Sequence, residues 1–254
     1  MGPSGETSRA RRCRTRRRRI GRSGLSQTLL ARALTMSLIV KICGLSTRET
    51  LDVALDAGAD MVGFVFFPPS PRHLSLEVAR GLGKHAKGRA AKVALTVDAD
   101  DALLGDIVQA LQPDVLQLHG KETVARVRDI KQRFGLEVMK VIAVDTAADL
   151  GALPAYADVA DRILFDARAP DEATRPGGLG AVFDWRVLER LELKQPFMLS
   201  GGLDVRNIAE AIRITRAGGV DVSSGVERSP GIKDPDMIRA FIAAARATEE
   251  LLIK

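Results

Sequence analysis

Leu38-Ile39-Val40-Lys41-Ile42-Cys43-Gly44 is an apolar run that ends in a thiol and breaks at a glycine. A β-branched run stopped by glycine reads as a buried strand followed by a turn. Cys43 then sits at the strand's C-terminal lip, where a thiol can be inert packing, a nucleophile or a base. From this stretch outward one pattern repeats. Strands are expected at Leu38–Cys43, Met61–Phe66, Ala91–Val97, Asp114–Leu118, Glu137–Val144, Arg162–Phe165, Pro196–Leu199 and Val220–Val222. Helices are expected at Thr47–Ala57, Leu76–His85, Ala102–Leu111, Glu122–Phe134, Ala147–Tyr156, Trp185 to about Arg190, Asp204–Thr215 and Pro235–Leu252. Alternating β and α elements imply a parallel sheet, because each crossover needs a helix. Eight such units in about 215 residues fit a closed (β/α)8 TIM barrel. The alternative is a doubly wound open sheet. It lacks support, because no G-x-G-x-x-G follows the first strand and small or polar residues end nearly every strand.

The chain has 254 residues and a net charge of +6. That charge is unevenly placed. Residues 1–35 hold ten arginines, no lysine and one acid, whereas residues 36–254 hold 28 basic and 31 acidic residues. The Arg16–Arg19 run could touch nucleic acid or anionic lipid, or form a transit-like segment. The preferred reading is a disordered basic extension outside the chemistry, with the catalytic domain over 36–254. No run of about 18 apolar residues occurs, so no membrane span is expected. Two cysteines, Cys13 and Cys43, do not make a disulfide framework, and a cytoplasmic setting fits.

The active face of such a barrel is its C-terminal rim. Cys43 lies there. So do Arg72 after strand 2, His119 after strand 4 and Asp166 after strand 6. Gly201-Gly202 and Ser223-Ser224-Gly225 follow strands 7 and 8, the usual phosphate-binding loops of this fold. They read either as an anion site or as tight turns. Arg72 follows Pro68-Pro69-Ser70-Pro71, a stiff loop. It is either a surface arginine or a two-pronged grip for a planar carboxylate. Asp166 follows Ile163-Leu164-Phe165 and is a candidate acid, since a desolvated carboxyl favours its protonated form. Asp98 and Asp145 read as solvated loop carboxylates or helix caps, and His119 as a rim histidine with satisfied partners. Lys41 and Cys43 share a strand face. Strand 8 closes on strand 1, so Lys41 and Asp221 are expected to pair inside the rim. Three histidines, none at ligand spacing, suggest no metal site.

Several motifs then occur in a specific order. They are Lys41-Ile42-Cys43-Gly44, Gly63-Phe64-Val65-Phe66, Ser70-Pro71-Arg72 and Leu116-Gln117-Leu118-His119-Gly120. Phe183-Asp184-Trp185, Leu199-Ser200-Gly201-Gly202-Leu203, Val220 to Glu227 and Pro230-Gly231 follow. The set resembles the phosphoribosylanthranilate isomerase family of tryptophan biosynthesis, from about residue 38 to 246. The resemblance implies an Amadori rearrangement of N-(5-phosphoribosyl)anthranilate without a cofactor. It implies Cys43 as general base and Asp166 as general acid, and a small phosphosugar substrate. Three stretches depart from the family pattern: Leu164-Phe165-Asp166-Ala167, Gly177-Gly178-Leu179-Gly180-Ala181, which lacks the usual hydroxyl and lysine, and Leu95-Thr96-Val97-Asp98. One rival is the related sugar isomerase of histidine biosynthesis, which would need an aspartate base on strand 1 and a second phosphate site. Another is nucleic-acid binding through residues 8–22, which hold no aromatic residue for base stacking. A third is an inactive barrel, disfavoured by the presence of both Cys43 and Asp166. The sequence does not fix an oligomeric state.

Overall fold

The computed structural model describes residues 1–2, 37–170, 172–189, 191, 193 and 197–253. The basic extension, Met36, Arg190 and Pro196 therefore lie outside the described residues. The barrel unit is Ser37–Lys254.

Eight parallel strands close in sequence order: β1 (Ile39–Cys43), β2 (Met61–Phe66), β3 (Ala91–Thr96), β4 (Val115–Leu118), β5 (Glu137–Val144), β6 (Arg162–Ala167), β7 (Phe197–Leu199) and β8 (Gly219–Val222). The helices are α1 (Arg48–Asp56), α2 (Leu76–Ala86), α3 (Asp101–Leu111), α4 (Val124–Phe134), α5 (Leu153–Ala157), α6 (Ile208–Thr215) and α7 (Pro235–Ile253). The TIM barrel expected from the strand count is thus present. Strand residues are buried on both faces, as parallel strands between helices must be.

Local chemistry starts the helices. The side chains of Thr47, Ser75, Asp100 and Thr123 accept from the amides of Thr50, Val78, Leu103 and Arg126, at 3.3, 3.3, 2.8 and 3.2 Å. Such caps contribute about 0.5–2 kcal/mol each. Three expectations need correction. The weak helix at 147–156 is a 3-10 turn, Ala147–Ala152, followed by the one-turn α5. The helix at Trp185 is a 3-10 turn, Trp185–Leu188. The helix expected from Asp204 begins only at Ile208. Asn207 binds backward there: its Oδ1 accepts from the Asp204 amide and its Nδ2 donates to Gly202 O. A small hairpin of β9 (Glu227–Ser229) and β10 (Ile232–Lys233), turning at Pro230-Gly231, was not expected.

The N-terminal end of the barrel is closed by a repeated device. Asp60, Asp114 and Asp161 stand just before β2, β4 and β6. Their carboxylates accept from the amides of Val40, Lys92 and Val138 on the preceding strands, at 2.7, 2.7 and 2.9 Å. Each also meets a cation: Arg246 at 2.7 Å, Lys92 at 3.3 Å and Lys131 at 2.7 Å. Above this end, Met61, Val93, Val115, Met139, Val141, Leu164 and Met198 fill the lower interior. Burying each such side chain contributes about 1.5–3 kcal/mol.

Candidate active site

At the C-terminal rim the interior changes from apolar to charged. Lys41 and Asp221 are registered neighbours across the β1–β8 seam, and Lys41 Nζ donates to Asp221 Oδ1 at 2.9 Å. This is the pairing expected from strand parity. Lys41 is wholly buried. Burial pulls its ammonium toward neutrality, but Asp221, and then Cys43, outweigh that and hold its pKa above the ordinary value.

Cys43 follows on the same face and is buried. Gly63 lies opposite it, where a Cβ would stand 2.8 Å from Sγ, so the thiol needs a glycine beside it. Burial pushes the thiol pKa up, and Asp221 adds to this. Lys41 and Lys233 pull it down without reversing the shift. A nearby lysine is therefore not enough to make a resident thiolate.

Arg72 is not the open grip the loop suggested. It is 3 % exposed. Its Nε and Nη2 donate to the two oxygens of Glu227, each at 2.7 Å, and Nη2 also donates to Gly178 O at 3.2 Å. Glu227 accepts in addition from Lys233 Nζ at 2.7 Å. Burial pushes the Glu227 carboxyl up, but Arg72 and Lys233 outweigh it and hold its pKa below the usual range. Lys233 is held below its ordinary value by burial, partly offset by Glu227. The network reaches the base of the site: Lys233 Nζ donates to Ser223 O at 2.8 Å, and Ser223 Oγ donates to Cys43 O at 3.2 Å.

Asp166 lies inside β6 rather than after it, paired in register with Ala143. It is 5 % exposed. Its Oδ1 accepts from the Ala167 amide at 3.0 Å, and its Oδ2 stands 3.2 Å from His119 Nε2. Among the described residues no lysine or arginine pairs with it. His119 is thus a direct neighbour of the candidate acid, which its place after β4 alone did not reveal. Asp98 and Asp145 are exposed. Asp98 Oδ1 accepts from the Lys121 amide at 2.7 Å, as a loop carboxylate would.

Gly201 and Gly202 have φ of +90° and +60°, a region that favours glycine. Beside them are Ser223 and Ser224, in the loop that enters a 3-10 turn, Ser224–Val226. Gly225 has a packing reason instead: a Cβ there would collide with Leu203 O. Cys43, Arg72, His119, Asp166, Asp221 and the residues Gly201, Gly202, Ser223 and Ser224 line one cavity. It is concave and carries a few convergent polar groups, as small-molecule sites do. Lys41 sits beneath its wall. Among the described residues no group of three or more His, Cys, Asp or Glu side chains is placed to hold a metal, and no helix is long and apolar enough to cross a membrane. Glu227, Lys233 and Arg175, which also lines the cavity, were missed from sequence as site residues. Glu227 lay within a quoted motif, but only the unexpected hairpin shows its contact with Arg72.

The family model described as N-(5'phosphoribosyl)anthranilate (PRA) isomerase matches residues 40–244. An N-(5'-phosphoribosyl)anthranilate isomerase of Bradyrhizobium sp. (strain ORS 278) is 73% identical over 219 residues, covering 86% of this chain and 100% of that protein. One of Rhodopseudomonas palustris (strain BisB18) is 69% identical over 218 residues, covering 86% and 100%. Among solved structures, the phosphoribosyl anthranilate isomerase from Thermotoga maritima is 35% identical with a TM-score of 0.74, covering 83% of this chain and 100% of that one. A phosphoribosyl anthranilate isomerase in complex with reduced 1-(o-carboxyphenylamino)-1-deoxyribulose 5-phosphate is 33% identical with a TM-score of 0.71, at the same coverage. By the family model's span and these identities, the chain belongs to the N-(5'-phosphoribosyl)anthranilate isomerase family.

Proposed function

We propose that Cys43 and Asp166 are the base and acid of the reaction this family performs. The chain is a phosphoribosylanthranilate isomerase, an intramolecular oxidoreductase of tryptophan biosynthesis. The observation that carries the assignment of roles is the placement of Asp166. It is a buried carboxylate on the wall of the rim cavity, with no lysine or arginine partner among the described residues, and it shares that cavity with the Cys43 thiol. Held by the Ala167 amide and His119 on the cavity wall, the carboxyl is placed to exchange a proton with a ligand there.

The substrate's phosphate sits against the amides and hydroxyls of Gly201-Gly202 and Ser223-Ser224, with Gly225 holding that loop in place. Asp166 in its protonated form gives its proton to the ribose ring oxygen. The C–O bond breaks and the nitrogen lone pair closes the Schiff base. Cys43 as thiolate takes the C2 proton, the electrons move to the cationic nitrogen, and an enolamine results. Tautomerisation then places a proton on C1 and leaves the ketone of 1-(2-carboxyphenylamino)-1-deoxyribulose 5-phosphate. Since burial holds the resting thiol protonated, the thiolate is most favoured once the cationic Schiff base stands beside it. The Lys41–Asp221 pair holds the floor of the sugar site. Arg72, fixed by Glu227, can offer the ligand Nη1, which meets no acceptor among the described residues.

None of these steps calls on a cofactor. We also assign the enzyme to the cytoplasm, where the thiol stays reduced. We read residues 36–254 as the catalytic domain and 1–35 as an extension outside it. The family model's limits of 40 and 244 support this. The test is the change in anthranilate-type fluorescence on incubation of the full chain with N-(5-phosphoribosyl)anthranilate, run beside an assay on the two-phosphate substrate of the histidine-pathway rearrangement. Turnover of the first alone is expected. Turnover of the second alone would overturn the reading.

A further inference from the structure

Two ion-paired clusters stand near Cys43, and they differ in their charge count. Lys41 and Asp221 form a one-to-one pair. The second cluster holds two cations, Arg72 and Lys233, on one carboxylate, Glu227. Among the described residues neither cation meets a second carboxylate. The first cluster is therefore neutral, and the second carries one net positive charge. A buried thiol ionises more readily where such a charge stands near it.

Contacts tie the second cluster to the turn that carries the thiol. Lys233 ends β10 and is buried. Its ammonium has three acceptors: Glu227 Oε1 at 2.7 Å, Ser223 O at 2.8 Å and Ser223 Oγ at 3.3 Å. Three acceptors match the three donors of a charged lysine. Ser223 Oγ in turn donates to Cys43 O at 3.2 Å. Donation thus runs in one direction, from Lys233 through the Ser223 hydroxyl to the carbonyl of Cys43. Gly44, the next residue, has φ of +78°, and a Cβ there would stand 2.6 Å from Arg72 Cδ and 3.2 Å from Ser223 Oγ. The charged groups around Cys43 are Lys41 on β1, Asp221 on β8, Lys233 on β10 and Arg72 after β2, while Asp166 and His119 share its cavity. Lys41 and Asp221 act on the thiol in opposite senses, and Lys233 acts with Lys41.

We infer that Lys233 is a positioning residue for the base: it fixes the Ser223 loop against Cys43 and stations a surplus positive charge near the thiol. Glu227 holds Lys233 in place but is shared with Arg72, so it does not cancel the charge of the cluster. The inference rests on the reading of Cys43 as the base.

The test uses the full chain with three variants. Lys233→Met removes the charge, while Glu227 keeps both hydrogen bonds from Arg72, so no carboxylate is left unpaired. Lys233→Gln keeps a donor without the charge and serves where the first variant does not fold. Ser223→Ala removes the link to Cys43 O and keeps the charge. Each is alkylated with iodoacetamide across pH without substrate, and modification of Cys43, which lines the cavity, is followed by peptide mass to separate it from Cys13. Either Lys233 variant is expected to raise the midpoint for Cys43 by about one pH unit and to slow its alkylation below that midpoint by about 10-fold. The alkaline limb of kcat/KM should move with it, and Ser223→Ala should leave the midpoint in place. An unmoved midpoint in the Lys233 variants, or an equal shift in Ser223→Ala, would overturn the inference. If instead a folded Cys43→Ser enzyme keeps the full turnover rate, the reading of Cys43 as the base fails. The alkylation midpoint is read without substrate, so the two failures are distinguishable.

Discussion

The two ends of this barrel treat their charged side chains in opposite ways. At the N-terminal end Asp60, Asp114 and Asp161 each accept a strand amide and meet a cation. Each of these three carboxylates already has protein partners. At the C-terminal end, among the described residues, Asp166 has a backbone amide and a histidine but no lysine or arginine, and Arg175 has an unpartnered buried donor. Between these extremes lie the closed pairs Lys41–Asp221 and Arg72–Glu227–Lys233, which fix the walls of the site. The contrast teaches that charge alone does not mark function in this fold. Completeness of pairing separates the end that holds the barrel shut from the end that works.

Substitutions can break or sharpen that contrast. Asp166→Asn should lower kcat/KM by about 10²- to 10⁴-fold, with the melting temperature retained, because no ion pair to lysine or arginine is lost. A comparable fall in stability would place Asp166 with the closed pairs. Lys41→Met should do the reverse in kind: it strands Asp221 and should cost about 3–5 kcal/mol in urea unfolding. A Lys41→Met, Asp221→Leu double variant more stable than the single one would show that the penalty is the unpaired charge. At the far end, Asp161→Ala removes acceptors for Val138 N and Lys131 and should cost about 1–3 kcal/mol. It should leave KM unchanged; a raised KM would blur the division between the two ends.

The smallest effect expected is on alkaline stability. The Cys43 thiol and the Lys41 ammonium both have pKa values raised in the folded state. Each therefore favours folding fully below its unfolded pKa, and that contribution is lost as pH rises through the folded pKa. Thermal stability should fall above the ordinary thiol range, and Cys43→Ser should flatten the first part of the decline. An identical decline in the variant would remove Cys43 as its source.

Much of this was legible in the sequence because β-branched runs bounded by glycine or aspartate are local signals. Met61–Phe66 and Glu137–Val144 were read to the residue. The Lys41–Asp221 pair was also legible, since strand parity and barrel closure suffice to predict it. What failed depended on distant contacts. Glu227 reaches Arg72 across 155 positions through a hairpin that Pro230-Gly231 only hinted at. His119 was read as a rim residue, because nothing local shows that β4 and β6 bring it beside Asp166. Asp60, Asp114 and Asp161 were visible before three strands, yet their common role appears only once the neighbouring strand's amide is in place.

The central claim is that a buried, cation-flanked Cys43 is the base opposite Asp166. Its most direct test is the pH dependence of kcat/KM for the unaltered enzyme and for Cys43→Ser, measured side by side. The account predicts a wild-type profile whose alkaline limb is set by the thiol, above its ordinary value, and a variant at least about 10²-fold slower that lacks this limb. A folded Cys43→Ser enzyme that keeps both the rate and the limb would contradict it.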